Sequence, residues 1–383
     1  MYKICYVTTL PNTLRFFVID TAKYLNTKGE FDITLICNTT ENFERELPQG
    51  IKYKPVAMKR GYSLSGLKSL MDLYRLFKKE KFDLVQYSTA NAGVYASIAA
   101  HFAKVPIRLY AQWGLEYMVL PGIKGVVFEI IERVICANST HIQPDSKENL
   151  NISIREKLYP ASKGKVIGSG SANGVNLERF NIEKKYLWRK EIREKYHISE
   201  STFVFGYVGR ILGEKGINEL FEAIKVLNKK YDNIVYLLVG DDIHYEGIEE
   251  KNIDWARKQE NIIFAGFSSS PEVYYAAMDC FVFPSYHEGF GTSLIEAEAM
   301  GLPIIASDIP GPREAMKAGY TGIAIPSKNA KALVAAMENI LNDKEKTEIY
   351  ARNSLDYVKK YFDQKVLFNQ IYENRIEILK EIM

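Results

Sequence analysis

Short apolar runs rich in β-branched and aromatic residues alternate along the whole chain with longer stretches of helical periodicity, and this alternation constrains the fold more than any other feature. Strand-like runs separated by crossover-length helical segments belong to parallel sheets covered by helices. In the first half the spacing predicts strands at 3–8, 32–37, 84–87 and 107–111. The second half repeats the pattern, with strands at 203–208, 235–239, 262–265, 280–283 and 303–306 and helices at 218–230, 271–278 and 293–300. Between them, 165–196 breaks the rhythm with Gly168, Gly170 and Gly174 and then turns polar. A length of 383 residues exceeds what one hydrophobic core usually serves. The expectation is an α/β chain with two doubly wound domains in tandem.

Composition narrows the function classes. The hydrophobic fraction of 47% and charged fraction of 25% are those of a globular protein rather than a disordered one. Cys5, Cys37, Cys136 and Cys280 are scattered and form neither a CxxC pair nor a disulfide framework, which points to a reducing compartment and away from a zinc site. No apolar run approaches the roughly 20 residues that span a bilayer, and Met1-Tyr2-Lys3-Ile4 leads directly into a strand, so a cytoplasmic location is expected. No nucleic-acid partner is expected.

The net charge of +3 hides an asymmetry: residues 1–170 hold 23 Lys and Arg against 15 Asp and Glu, whereas 171–383 hold 27 against 32. Much of the basic excess lies at Lys59, Arg60, Lys68, Arg75, Lys78, Lys79 and Lys81, flanking Leu64, Leu67, Leu70, Met71, Tyr74 and Phe77 at near-helical spacing. Two readings stand. One is an ordinary amphipathic surface helix; the other is attachment to anionic lipid on the inner face of the plasma membrane.

Ligands of doubly wound sheets sit beyond the carboxyl ends of the strands. The first such loop in the second half is Gly209-Arg210-Ile211-Leu212-Gly213-Glu214-Lys215-Gly216. Arginine offers phosphate oxygens a planar fork, lysine adds a compact charge, and glycine lets the backbone approach closely. The second runs from Pro284 through His287-Glu288-Gly289-Phe290-Gly291-Thr292-Ser293 to Glu296. Backbone amides at Gly291, Thr292 and Ser293 would open a helix, and such a terminus attracts phosphate. Glu288 and Glu296 are suited to accepting hydrogen bonds from sugar hydroxyls. Glu296 has a second reading, since Ser293-Leu294-Ile295-Glu296 also matches a helix capping box.

These motifs resemble the retaining glycosyltransferases of family 4, and among them the bacterial capsule and O-antigen enzymes. The resemblance rests on Gly168 to Asn176 with Phe180, on the Gly209-Arg210 to Lys215-Gly216 loop, on Glu288-Gly-Phe-Gly with Glu296, and on Gly311-Pro312-Arg313-Glu314. It implies the GT-B architecture, two Rossmann-like domains facing across a cleft. The domains would be an acceptor domain at 1–168, a nucleotide-sugar domain at 169–360 and a terminal helix at 361–383 packing back on the first. It also implies that Arg210 and Lys215 hold the donor diphosphate, Glu288 contacts the transferred sugar and Glu296 holds the ribose. Phe290, Gly291 and Thr292 would offer the donor their surroundings and amides. The catalytic set would be Glu288, Arg210 and Lys215, with no metal and no cofactor beyond the donor substrate, a UDP-sugar. The acceptor implied is a saccharide linked to polyprenyl diphosphate, which gives the basic helix and an apolar stretch at Met118-Val119-Leu120-Pro121-Gly122-Ile123 a lipid-facing use alongside plain buried packing.

The first half departs from the family pattern. Where many relatives carry a Gly-Gly pair, this chain has Thr8-Thr9-Leu10-Pro11-Asn12-Thr13, and neither Gln86-Tyr87-Ser88-Thr89 nor Ala111-Gln112-Trp113-Gly114 contains the family's histidine. His287 adjoins Glu288 and suits either a pocket wall or a solvated turn, His101, His141, His197 and His244 have no spaced partners that would make a metal site, and Trp113 and Tyr117 suit either a core or an acceptor platform. A non-catalytic nucleotide-sugar-binding or scaffold subunit, and a sugar-nucleotide epimerase, remain open alternatives. In the tail, 345–383, the inward positions predicted by periodicity are Tyr350, Leu355, Val358, Tyr361, Phe362, Val366, Leu367, Ile371, Ile376 and Leu379.

Overall fold

The computed structural model describes residues 1–38, 43–58, 65–118, 120, 122–241 and 245–382. Lys59, Arg60, Leu64, Val119, Pro121, Asp242 and His244 lie outside them. The chain divides into two compact units, one formed by Met1–Asn173 with Lys365–Met383 and the other by Gly174–Gln364.

The first unit is a six-stranded sheet of β1 (Tyr2–Val7), β2 (Phe31–Ile36), β3 (Lys52–Tyr53), β4 (Leu84–Tyr87), β5 (Ile107–Gln112) and β6 (His141–Pro144). Its order is β3-β2-β1-β4-β5-β6 and its pairings are parallel. The second unit holds β7 (Phe203–Val208), β8 (Ile234–Val239), β9 (Ile262–Gly266), β10 (Cys280–Phe283), β11 (Ile304–Ser307) and β12 (Gly322–Ile325). Its order is β12-β11-β10-β7-β8-β9, again parallel. Both are doubly wound, so the expected fold class holds. The central strands are buried along their length, as in β4 and β10; β10 reads as a continuous apolar run, whereas β4 carries the buried Gln86.

In each sheet the order reverses at one place, between β1 and β4 in the first unit and between β7 and β10 in the second. There the crossover helices leave to opposite faces, so the loops that follow the two strands become neighbours around an open crevice. In the second unit those are the two loops singled out from the sequence.

The tail is two helices, Lys344–Tyr361 and Gln364–Lys380. Tyr361 and Val366 were expected to face inward, yet both are exposed. The helix ends at Tyr361 and a new one begins at Gln364, so the helical phase resets between them and the predicted period does not run through. The second helix belongs to the first unit, where Leu367, Phe368 and Ile371 pack with Ile167. It also buries Arg375, whose guanidinium donates to Gln86 Oε1 at 3.0 Å and Gln143 Oε1 at 2.6 Å.

The basic segment forms the helix Ser65–Glu80, burying Leu73 and Phe77. Leu67 and Met71 remain exposed, together with Lys68, Arg75, Lys78 and Lys79.

Candidate active site

The loop after β7 leaves Val208 through Gly209, makes a short turn at Gly213–Lys215 and enters the helix Ile217–Leu227. Gly216, in the left-handed region at φ 75°, caps that helix, and a Cβ there would run into the Pro284 carbonyl. Only glycine allows the two loops this approach. Hydrogen bonds then join them: Tyr286 N donates to Glu214 O at 2.9 Å, and Tyr286 Oη donates to Glu219 Oε2 at 2.7 Å.

This seam places Lys215 Nζ 2.8 Å from Glu288 Oε1. The two side chains are 12% and 15% exposed, so the pair is largely shielded from water yet open on one side. Arg210 lies on the same loop but is turned outward, 65% exposed, and pairs with Glu214 at 3.2 Å. Sequence reasoning therefore named three charged residues of one loop pair. Lys215 and Glu288 are in contact, while Arg210 points outward and pairs with Glu214.

The fourth motif closes over the Glu288 turn. Gly311, at φ 84°, leaves no room for a side chain, since a Cβ would sit 2.8 Å from Gly289 O and 3.0 Å from Glu288 O. Arg313 next to it donates to Asp308 Oδ1 at 2.6 Å, fixing that loop rather than entering the site.

The helix Thr292–Ala299 starts with Gly291 as its N-cap, at φ 92°, so Gly291 and Thr292 stand at its amide-bearing end. Phe290 turns its ring into the core, 5.4 Å from Phe362, which leaves only its backbone to the site. The capping-box alternative for Glu296 does not hold. Because the cap is Gly291 rather than Ser293, Glu296 is too far along the helix to reach back, and its Oε2 instead accepts from Tyr275 Oη at 3.0 Å. Burial pushes the Glu296 carboxyl up to about 7, only partly offset by the tyrosine hydrogen bond and the nearby Arg179.

Burial and the Lys215 cation lower the His287 pKa, against smaller raising effects of Glu214 and Glu288. The sequence offered no signal for Tyr275 and Glu219, which look like one more core tyrosine and one more helix glutamate. Their roles come from the crossing of helices Pro271–Ala277 and Ile217–Leu227 with the site loops. A separate cavity of about 470 Å³ in this unit, lined by Lys185, Arg189 and Asp279, sits at the amino ends of the strands and contains none of these residues.

Two family models match the chain: glycosyl transferases group 1 over residues 189–356, and glycosyl transferase 4-like over residues 3–146. The capsular polysaccharide biosynthesis glycosyltransferase CapM of Staphylococcus aureus is 32% identical, over 85% of this chain and 85% of that protein. The chain belongs to the group 1 glycosyl transferases. This glycosyltransferase is also similar to an Escherichia coli protein named UDP-Gal:alpha-D-GlcNAc-diphosphoundecaprenol alpha-1,3-galactosyltransferase, at 28% identity over 82% of this chain and 81% of that one. Among solved structures, Anabaena Alr3699/HepE in complex with UDP-glucose matches with a TM-score of 0.79 at 19% identity, covering 98% of this chain and 100% of that one. That match supports the GT-B fold of the glycosyltransferase.

Proposed function

We propose that this glycosyltransferase moves a hexose or N-acetylhexosamine from a UDP-sugar to a lipid-linked saccharide during assembly of a capsule or O-antigen polysaccharide, with retention at the anomeric carbon. The observation that carries the reading is the Lys215–Glu288 contact at the point where the second sheet reverses. It sets a cation for a diphosphate directly beside an acceptor for sugar hydroxyls. The Staphylococcus aureus and Escherichia coli relatives, by their names, act in capsule synthesis and on a diphosphoundecaprenol-linked sugar, which supports the acceptor class.

In this reading Arg210 swings in beside Lys215 and both hold the diphosphate, while amides at Phe290, Gly291 and Thr292 add hydrogen bonds at the helix start. Glu288 accepts from the transferred sugar and Glu296 from the ribose. The bond from the anomeric carbon to the phosphate oxygen breaks as the acceptor oxygen bonds to the same face of that carbon, and the acceptor proton passes to the departing phosphate. Lys215 and Arg210 stabilise the charge that builds on the leaving group, so neither an enzymic nucleophile nor a metal is needed for that task.

A peripheral contact with anionic membrane belongs to the same reading. The helix Gly122–Asn138 exposes Ile123, Val126, Val127 and Ile130, spaced along one stripe, and Lys124 stands beside them. Such a stripe with basic flanks suits the headgroup boundary. No helix among the described residues is long and apolar enough to cross a membrane.

The absent first-half histidine favours a non-catalytic subunit as the second reading. Calorimetric titration with UDP, GDP and ADP, followed by an assay of UDP-sugars against diphosphoundecaprenol-linked sugars, separates the two. Selective UDP binding with transfer that is lost in Glu288→Ala supports the enzyme. UDP binding without transfer to any acceptor supports the subunit, and binding of none of the three counts against both.

A further inference from the structure

The second unit's cavity of about 470 Å³ falls within the ~300–1,000 Å³ range of small-molecule pockets. It lies at the amino ends of three strands, where Phe203 opens β7, Asp279 precedes β10 and Pro303 precedes β11. The loops of Lys215 and Glu288 stand at the opposite, carboxyl ends of the same sheet, so the transferase chemistry makes no use of this space.

The cavity holds cations that the neighbouring acids do not fully offset. Arg189 donates from Nε to Glu200 Oε2 at 3.1 Å and from Nη1 to Asp279 Oδ1 at 2.9 Å, and neither bond uses Nη2. Glu200 is 66% exposed and offsets little. Asp279 is shared, because its Oδ2 accepts from Arg193 Nη2 at 2.7 Å and from Val204 N at 2.8 Å. One carboxylate thus answers two guanidinium groups. Lys185 Nζ takes carbonyls instead of a carboxylate, Met300 O at 2.7 Å and Gly301 O at 3.3 Å, just past the helix Thr292–Ala299. Those bonds close the helix end and suit its dipole, yet they leave the ammonium without a carboxylate in contact and with a third N–H to give. Burial lowers the Lys185 pKa to about 8, opposed by Asp279 and assisted by Arg189.

The lining selects its ligand. Phe203, Met278, Pro303, Ile340 and Leu341 supply apolar wall. Against that wall a wholly neutral ligand would bury the Lys185 charge without answering it. A carboxylate brings two oxygens to the two remaining donors, Lys185 Nζ and Arg189 Nη2. A phosphate ester carries close to two charges at neutral pH, and the second would meet Glu200 and Glu348 on the lining.

We propose that this cavity is a second ligand site, taking a small organic monocarboxylate whose charge meets Lys185 and Arg189 and whose apolar body lies along Met278 and Leu341. The site stands independently of the transferase reading. Through Lys185 its ligand bears on one end of the helix Thr292–Ala299, the other end of which belongs to the Glu288 loop.

Saturation-transfer NMR on the full chain tests it with three probes that share one ring, benzoate, benzamide and phenyl phosphate, each titrated with and without saturating UDP. Benzoate should bind, and the other two should each bind about tenfold or more weakly, the order of a lost charged hydrogen bond. Lys185→Gln removes the charge and keeps a donor for the helix-end carbonyls. Ala351→Leu fills the cavity from its lining without touching a charge, and it carries the test if Lys185→Gln does not fold. Each should weaken benzoate about tenfold, while UDP affinity by calorimetry stays within about twofold because the two sites share no residue. No benzoate signal, equal binding of benzamide, tighter binding of phenyl phosphate, indifference to both substitutions, or displacement of benzoate by UDP would each overturn the assignment. The variants decide it whether or not UDP binds, so a failure of the donor-site reading remains separately visible.

Discussion

Lys215 Nζ and Glu288 Oε1, 73 positions apart in the chain, meet at 2.8 Å where the loops after β7 and β10 run side by side. The contact pairs the two charges with each other. In the proposed reading it also holds the lysine ready for a phosphate and the carboxylate ready for a hydroxyl, so a donor would find both groups already placed. Preplaced groups stabilise a departing diphosphate without reorganising at the moment of reaction.

Replacing either partner should therefore affect stability and chemistry in different proportions. Lys215→Met leaves a shielded carboxylate alone and should cost about 1–3 kcal/mol of stability, discounted from the fully buried case because the pair is partly open. Glu288→Gln should cost less, since an amide still accepts from the lysine. UDP affinity should fall at least about tenfold in Lys215→Met and change little in Glu288→Gln, while sugar transfer falls about 100-fold or more in both. Melting and calorimetry on the two single variants and the double variant would measure the coupling. Strictly additive losses would show that the pair does not act together.

The Glu296 carboxyl predicts a pH effect with a definite sign. Its folded-state pKa is raised to about 7, above the roughly 4.3 of an unfolded glutamate. The folded state therefore holds the proton more tightly, and this group's contribution to stability declines as pH rises from about 4 through 7. Ligand binding should run the other way: ribose hydroxyls need an acceptor, so UDP affinity should rise through the same window. The groups facing Glu296 are Tyr275, Arg179 and Glu272, and Tyr275 does not ionise there because burial raises its pKa as well. Glu296→Gln should flatten both trends. A UDP affinity in the wild type that stays level between pH 5.5 and about 8.5 would remove the ribose role.

The fold and the donor loops could be read from the sequence because their signals are local. The central strands are dominated by apolar residues, and each site loop carries its glycines and charges within one stretch of chain. What could not be read depends on how elements cross. The outer strands Lys52–Tyr53, His141–Pro144 and Gly322–Ile325 are only two to four residues long, and the first two lack a distinctive apolar pattern. Glu132 lies inside a helix whose opposite side is exposed and apolar, and only the pairing of β5 beside that helix shows that it meets Gln112 and Tyr110. Tyr275 takes the bond that a capping box would have given to Ser293, and the register deciding this is one residue pair at Gly291 and Thr292.

The exposed stripe predicts membrane contact. Val126 and Ile130 are 54% and 56% exposed, so a double change to Glu should leave the melting temperature nearly unmoved, within about 0.5 kcal/mol per site. Placing two carboxylates at an anionic surface should nonetheless lower the fraction that sediments with phosphatidylglycerol vesicles about tenfold or more, since basic residues there contribute about 1 kcal/mol each and acidic ones oppose. Phosphatidylcholine vesicles should bind the wild type less well. Equal sedimentation of wild type and variant would reassign the stripe to another partner.

Two positions beyond Glu296, Glu298 tests how far a site motif can be trusted to be all function. Both glutamates lie on the helix Thr292–Ala299, but at about 100° per residue a step of two turns the side chain away from the site and into the core. There Glu298 is fully buried, its carboxyl oxygens make no well-formed hydrogen bond, and burial raises its pKa well above that of an ordinary glutamate, against a smaller lowering by the neighbouring Thr321 side chain. It is thus held protonated, with the Thr321 side chain as a polar neighbour. Glu298→Met keeps the volume and removes both polar atoms, and should stabilise the chain by about 1–3 kcal/mol. The gain should grow as pH rises above about 4.5, because the unfolded wild-type chain then releases a proton that its folded form retains. Melting curves at pH 5 and 8 would check it. Transfer activity should be unchanged, and a variant that is less stable at both pH values would mean that Glu298 has a partner supporting the core.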